Sequence, residues 1–134
     1  MGGGPVTGDP LVRFQAEHQE ALVVLSRLEG AARSLRRAVE LADAWAPFAI
    51  SRTDLAAMLQ RASTTDAWHA RTTPIEVIVQ ATPPLDPLGA PDDTRARVDR
   101  LCEAGVTGLA LRFTHHSVDH YCEQPAAMRE VVTP

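Results

Sequence analysis

The sequence contains no lysine, so all 13 of its basic residues are arginine. Acidic residues number 17, the formal net charge is −4 and the isoelectric point is about 5.7. A general nucleic-acid surface needs clustered basic charge, and this balance argues against one. Aromatic residues make up only 4% of the chain, so a core has to rest on Ala, Leu and Val; at 45% hydrophobic content such a core can form. Cysteine is scarce as well. Cys102 and Cys122 alone do not make a disulfide framework and read as buried thiols of a reducing cytoplasm. No apolar run reaches the length of a membrane span, and the opening MGGGPVTGDP lacks the basic and apolar regions of a signal peptide. The chain is therefore expected to be cytoplasmic, with no membrane and no nucleic acid among its partners, and 134 residues allow one domain at most.

What is present is an alternation of helical and strand patterns. Residues 1–10 hold four Gly and two Pro and are expected to form a flexible tail. From Leu11 to Ala42 the apolar spacing is helical, through Leu22, Leu25 and Leu28 and then Leu35, Ala38, Val39 and Ala42. Arg33, Arg36, Arg37 and Glu40 then face outward, and Gly30 is expected to divide two helices. AWAPF, Ala44 to Phe48, reads as a short strand limited by its Pro. Ser51 with Asp54 forms a capping box for a helix over Arg52–Ala62, with Leu55, Met58 and Leu59 inward. PIEVIVQA, Pro74 to Ala81, is nearly continuous in apolar β-branched residues, as a buried parallel strand should be. Asp92 or Asp93 is expected to open the next helix, with Val98 and Leu101 inward and Gly105 at its end. VTGLALRF then reads as a strand, and Ser117 as the cap of a last helix with Asp119 in its first turn. Strands that alternate with helices imply a parallel sheet with right-handed crossovers, and three units leave two bare edges that need covering.

Chemistry-bearing motifs are few. There is no Ser-His-Asp arrangement, phosphate loop or CxxC, so no catalytic residue is assigned. His116 and His120 are four apart and would share a helical face, as paired metal ligands do; no third ligand is indicated, and no metal is expected. Trp68 and His69 sit between a helix and a strand, and the Trp is expected to fold back onto the edge of the core. On the residues alone Trp45 and Phe48 read as core aromatics and His115 as a solvated loop residue.

The order RRAVELADAWAPF, then IEVIV, then RLCEAGVTGLALRF and HHSVDHYCEQ resembles the C-terminal part of the luciferase-like monooxygenase family. Asp43-Ala44-Trp45 stands where that family has Asp-Gly-Trp. Gly105-Val106 and Leu111-Arg112-Phe113 stand for its last strand, and His116-Ser117 and His120-Tyr121 for the start of its last helix. The likeness covers Ser34 to Val132. It divides the chain into the tail (1–10), a helical segment without counterpart in the family (11–33) and a C-terminal barrel portion (34–134). The resemblance implies an α/β fold, a partial (β/α)8 TIM barrel of about three C-terminal parallel βα units preceded by helices. It also implies an oxidoreductase or monooxygenase acting on a small-molecule substrate with FMN or coenzyme F-420. The strand ends, Phe48 among them, would then face and bind the cofactor, with Thr114 and His115 donating hydrogen bonds to it and Trp45 walling its ring. The departures are a missing Gly-Gly turn and strand where the chain has VVLSRLEGAA, no counterpart for the first half of the barrel, and Pro125 where the family has Leu. The expectation is thus a truncated barrel, weak or inactive alone. The alternative is a non-catalytic α/β remnant or interaction module that covers its sheet edges by pairing as a homodimer or with another chain.

Overall fold

A computed structural model of the chain describes residues 10–134, with side chains given chiefly from residue 26 onward. The expected tail over residues 1–10 lies outside the described residues except for Pro10, the first residue of helix α1. The elements are α1 (Pro10–Leu41), β1 (Ala44–Trp45), α2 (Arg52–Ala62), α3 (Asp66–His69), β2 (Glu76–Gln80), α4 (Pro91–Glu103), β3 (Gly108–Ala110) and α5 (Val118–Val132). None of the described helices is long and apolar enough to cross a membrane.

The strands form one parallel sheet in the order β1-β2-β3. The register pairs Trp45 with Val77 and Val79 with Leu109, and partners in register share a face. That face carries the core. Leu35, Ala38 and Val39 of α1 and Leu55, Met58 and Leu59 of α2 pack with Trp45, Ile75, Val77 and Val106, and Trp68, Val79, Leu101 and Leu109 lie against them. Consecutive right-handed crossovers in sequential strand order place every connecting helix on the same side. The opposite face holds Ala44, Glu76, Ile78, Gln80, Gly108 and Ala110, and Glu76, Gln80 and Ala110 on it are exposed.

Local chemistry explains most element ends. Ser51 caps α2 by accepting the Asp54 N–H at 3.1 Å, and Ser117 caps α5 by accepting the His120 N–H at 3.1 Å. Gly105, at φ +105°, closes α4: its N–H donates to the Cys102 carbonyl and the Val106 N–H reaches back to Leu101. Arg71 ties the loop before β2 to the end of α1, donating to the Val39 carbonyl at 2.6 Å.

Several expectations are corrected. Gly30 does not divide α1, which runs unbroken through 32 residues. One Gly costs a helix interior only about 1 kcal/mol, less than the flanking helix formers and the buried Leu35–Val39 turn return. Helix α4 opens on Pro91 rather than on an Asp, because proline's fixed φ suits the first helical position and its missing N–H costs nothing there. The first and third strands are shorter than their apolar runs. Cys102 and Cys122 are free and exposed, not buried. The inward stripes of their helices are Thr94, Val98 and Leu101 on α4 and Gln124 and Met128 on α5, and both thiols fall outside them. Trp68 sits in a short helix rather than a loop, and it lies half-buried at the core edge as expected.

Candidate functional site

The C-terminal ends of the strands are built by the loop after β2 and by the start of α5. Pairing resumes beyond β2 and β3, where Leu85 bridges Phe113. The Leu85 N–H donates to the Arg112 carbonyl at 2.8 Å and the Thr114 N–H to the Leu85 carbonyl at 2.9 Å. Leu85 and Phe113 pack with Ala81 and Met128 as a second, smaller core. This anchors the next residue, Asp86, whose Oδ1 accepts the Gly89 N–H at 3.0 Å and closes a tight turn into α4. A Cβ on Gly89 would stand 2.3 Å from Asp86 Oδ2, so the turn keeps its glycine.

Gln124 ties this loop to α5. It is 0% exposed, and its amide is fully engaged. Its Nε2 donates to Asp86 Oδ1 at 2.9 Å and to the Thr114 carbonyl at 3.0 Å, and its Oε1 accepts the Leu88 N–H at 3.1 Å. Pro125 follows directly, and α5 continues through it. A mid-helix proline forfeits a backbone bond and costs about 3 kcal/mol, which the anchors at Gln124 and Met128 on either side offset. The Asp86 carboxyl is held below its usual range, chiefly by the Gln124 amide, then by the Gly89 N–H, with the nearby His120 and the Thr114 hydroxyl acting in the same direction. Such a carboxylate stays ionised and accepts hydrogen bonds; it is a poor proton acceptor near neutrality. Next to it the rings of His116 and His120 stack at 4.1 Å, and His120 Nδ1 is buried without a hydrogen-bond partner. Among the described residues no three His, Cys, Asp or Glu side chains come together to hold a metal.

The four residues that the resemblance points to are not brought into one pocket. Trp45 is 4% exposed, its ring lies in the helix-side core, and its Nε1 donates to Ser34 Oγ at 3.1 Å. Phe48 is 85% exposed rather than part of the core, because β1 ends at Trp45 and the chain turns away. It lines a cleft of about 810 Å³. Thr114 and His115 are exposed beyond β3, with β2 between them and Phe48. His115 Nδ1 lies 3.2 Å from the Phe113 carbonyl and its ring stands edge-on to Tyr121 at 5.3 Å. These residues do not together fit a flavin or deazaflavin ring within this chain. Asp86 and Gln124 were missed by sequence reasoning. LDPLG carries the signal for the first, an Asp three residues before a Gly; nothing marks Gln124 among the polar residues of α5.

Comparison with protein-family models, with curated proteins and with solved structures finds no match.

Proposed function

We propose that this chain supplies one wall of a (β/α)8 barrel oxidoreductase of the luciferase-like class, taking FMN or coenzyme F-420 and showing little or no activity alone. The observation that supports this reading is the winding of the sheet. Three parallel strands in sequential order with α1 to α4 packed on one face is the arrangement of a barrel wall, whereas a doubly wound sheet reverses its order and covers both faces. In the barrel reading the bare face with Glu76, Ile78 and Gln80 turns toward the barrel axis. Phe48, Thr114 and His115 stand at the C-terminal rim, where such enzymes place their chemistry. Trp45 supports the strand from behind. The cofactor would supply the redox chemistry; Thr114 and His115 would offer it hydrogen bonds from this wall, and the rest of its site would lie on the other strands of the barrel. The scatter of the rim residues is the reason for expecting weak activity from this chain alone.

The test is a fluorescence titration of the gel-filtered chain with FMN and with coenzyme F-420. Saturable binding to one of them, weakened by His115→Ala, is the expected result. Absence of binding by a folded chain at about 1 mM cofactor, where the interaction would be worth less than about 4 kcal/mol, overturns the reading. A second reading is favoured by the bare face and by the outer edges of β1 and β3, unpaired among the described residues: a non-catalytic module that self-associates. The same gel filtration reads it as a dimer that binds neither cofactor.

A further inference from the structure

The cleft that Phe48 lines lies at the C-terminal end of β2, between the start of α2 and the second half of α4, with Val79, Gln80, Ala81 and Thr82 along it. Its charge is opposite to that of the chain. Arg52 lines it from the first turn of α2, and Arg97 and Arg100 line it one turn apart on α4, while among the described residues no Asp or Glu lines it. A protein with more acidic than basic residues has here gathered three arginines along one cavity. A concave site lined by one sign of charge focuses its field and concentrates the counter-ion. Arg97 is fixed in place, donating from Nη1 and Nη2 to the carbonyls of Pro84 and Pro83. Those contacts use two of its five donors, and the rest remain for a ligand. The end of α2 is already served by Ser51 and Asp54, so the arginines carry the site. Between them the walls are apolar, through Phe48, Ile50, Leu55, Val79 and Leu101.

We propose that this cleft binds a small organic phosphate, with its phosphate held by Arg52, Arg97 and Arg100 and its apolar body against Phe48 and Ile50. Three guanidinium groups match a tetrahedral dianion, whose oxygens can each take charge-assisted bonds, better than a single carboxylate. The site goes beyond the oxidoreductase reading and does not depend on it: it shares Phe48 with that reading, but its arginines come from α2 and α4, helices packed on the core side of the sheet.

Phenyl phosphate, followed by amide shifts in nitrogen-15 NMR spectra, tests the proposal. Saturable shifts at Ser51–Thr53, Thr82 and Leu101 are expected, weakening as salt is added. Phenol at equal concentration should leave them unmoved, and inorganic phosphate should bind less tightly. Arg100→Gln and Arg52→Gln should each lower the affinity about tenfold, as loss of one charge-assisted contact does, without moving the thermal midpoint. Arg97 is left intact because its carbonyl contacts also hold the Pro83–Pro84 loop. Shifts that do not saturate, or affinity unchanged in both variants, overturn the proposal. FMN affinity unchanged in Arg100→Gln, where that for phenyl phosphate falls about tenfold, separates this site from the cofactor reading.

Discussion

Gln124→Leu removes three hydrogen bonds while keeping most of the volume of a fully buried side chain. The amide joins α5 to two other segments, through the Leu88 N–H and the Asp86 carboxylate in one loop and the Thr114 carbonyl beyond β3. Each of the two neutral bonds contributes about 1 kcal/mol net. Leu88 and Thr114 are exposed residues, so water reaches their backbone groups after a small opening, and the desolvation penalty stays at its low end. The two neutral bonds by themselves set the expected cost at about 2 kcal/mol, or a fall of roughly 6–10 °C in Tm for a domain of this size, and loss of the bond to Asp86 acts in the same direction. Urea unfolding followed by circular dichroism measures it as a lower midpoint at unchanged slope. Gln124→Glu provides an internal control. At neutral pH it sets a second carboxylate against Asp86 and an acceptor against the Thr114 carbonyl, so it should destabilise more than the leucine. The new carboxyl would have a raised folded-state pKa, so its penalty should shrink as pH falls through that value and protonation restores a donor. A leucine variant within about 0.5 kcal/mol of the parent would refute the anchoring role, as would a glutamate variant no worse than leucine at neutral pH.

Two further predictions concern the same end of the sheet and the helix that leads into β3. Asp86 has a lowered folded-state pKa, so its contribution to stability is present above the ordinary carboxylate value of about 3.9 and is lost as pH falls through the lower folded value. Asp86→Asn should therefore flatten the acid limb of a plot of urea midpoint against pH, and an unchanged limb would show that Asp86 is not its source. Gly105→Ala should cost about 1–2 kcal/mol, since φ is +105° there and the new Cβ would meet Leu59 Cδ1 at 2.7 Å. Thermal unfolding reads this directly, and a loss below about 0.5 kcal/mol would mean that the Leu59 side chain and the turn adjust freely.

Features settled within a few residues of chain were legible in the sequence. Ser51 and Ser117 cap their helices, Gly105 ends α4, and Leu55, Met58 and Leu59 turn inward, all as their spacing indicates. The parallel pairing of the strands followed from their alternation with helices. Strand lengths were less legible. An apolar run such as VTGLALRF says that a segment can be buried, whereas the length of ladder it forms depends on the neighbour that it meets. The failure at Gly30 was of the same kind. Glycine weakens a helix by a fixed local amount, and whether the helix breaks depends on what the turns on either side bury.

The sequence by itself determined the class of the fold, because caps, periodicity and turn residues act over distances of three or four positions. Only the tertiary structure decided which side chains meet. Gln124 finds Asp86 across 38 positions and Leu88 across 36. Three arginines from α2 and α4 share one cleft, Trp45 faces the helices, and Phe48 is left in solvent. Each of these contacts joins segments whose separation is set by the crossovers and the packing of the sheet, and no local pattern encodes that distance.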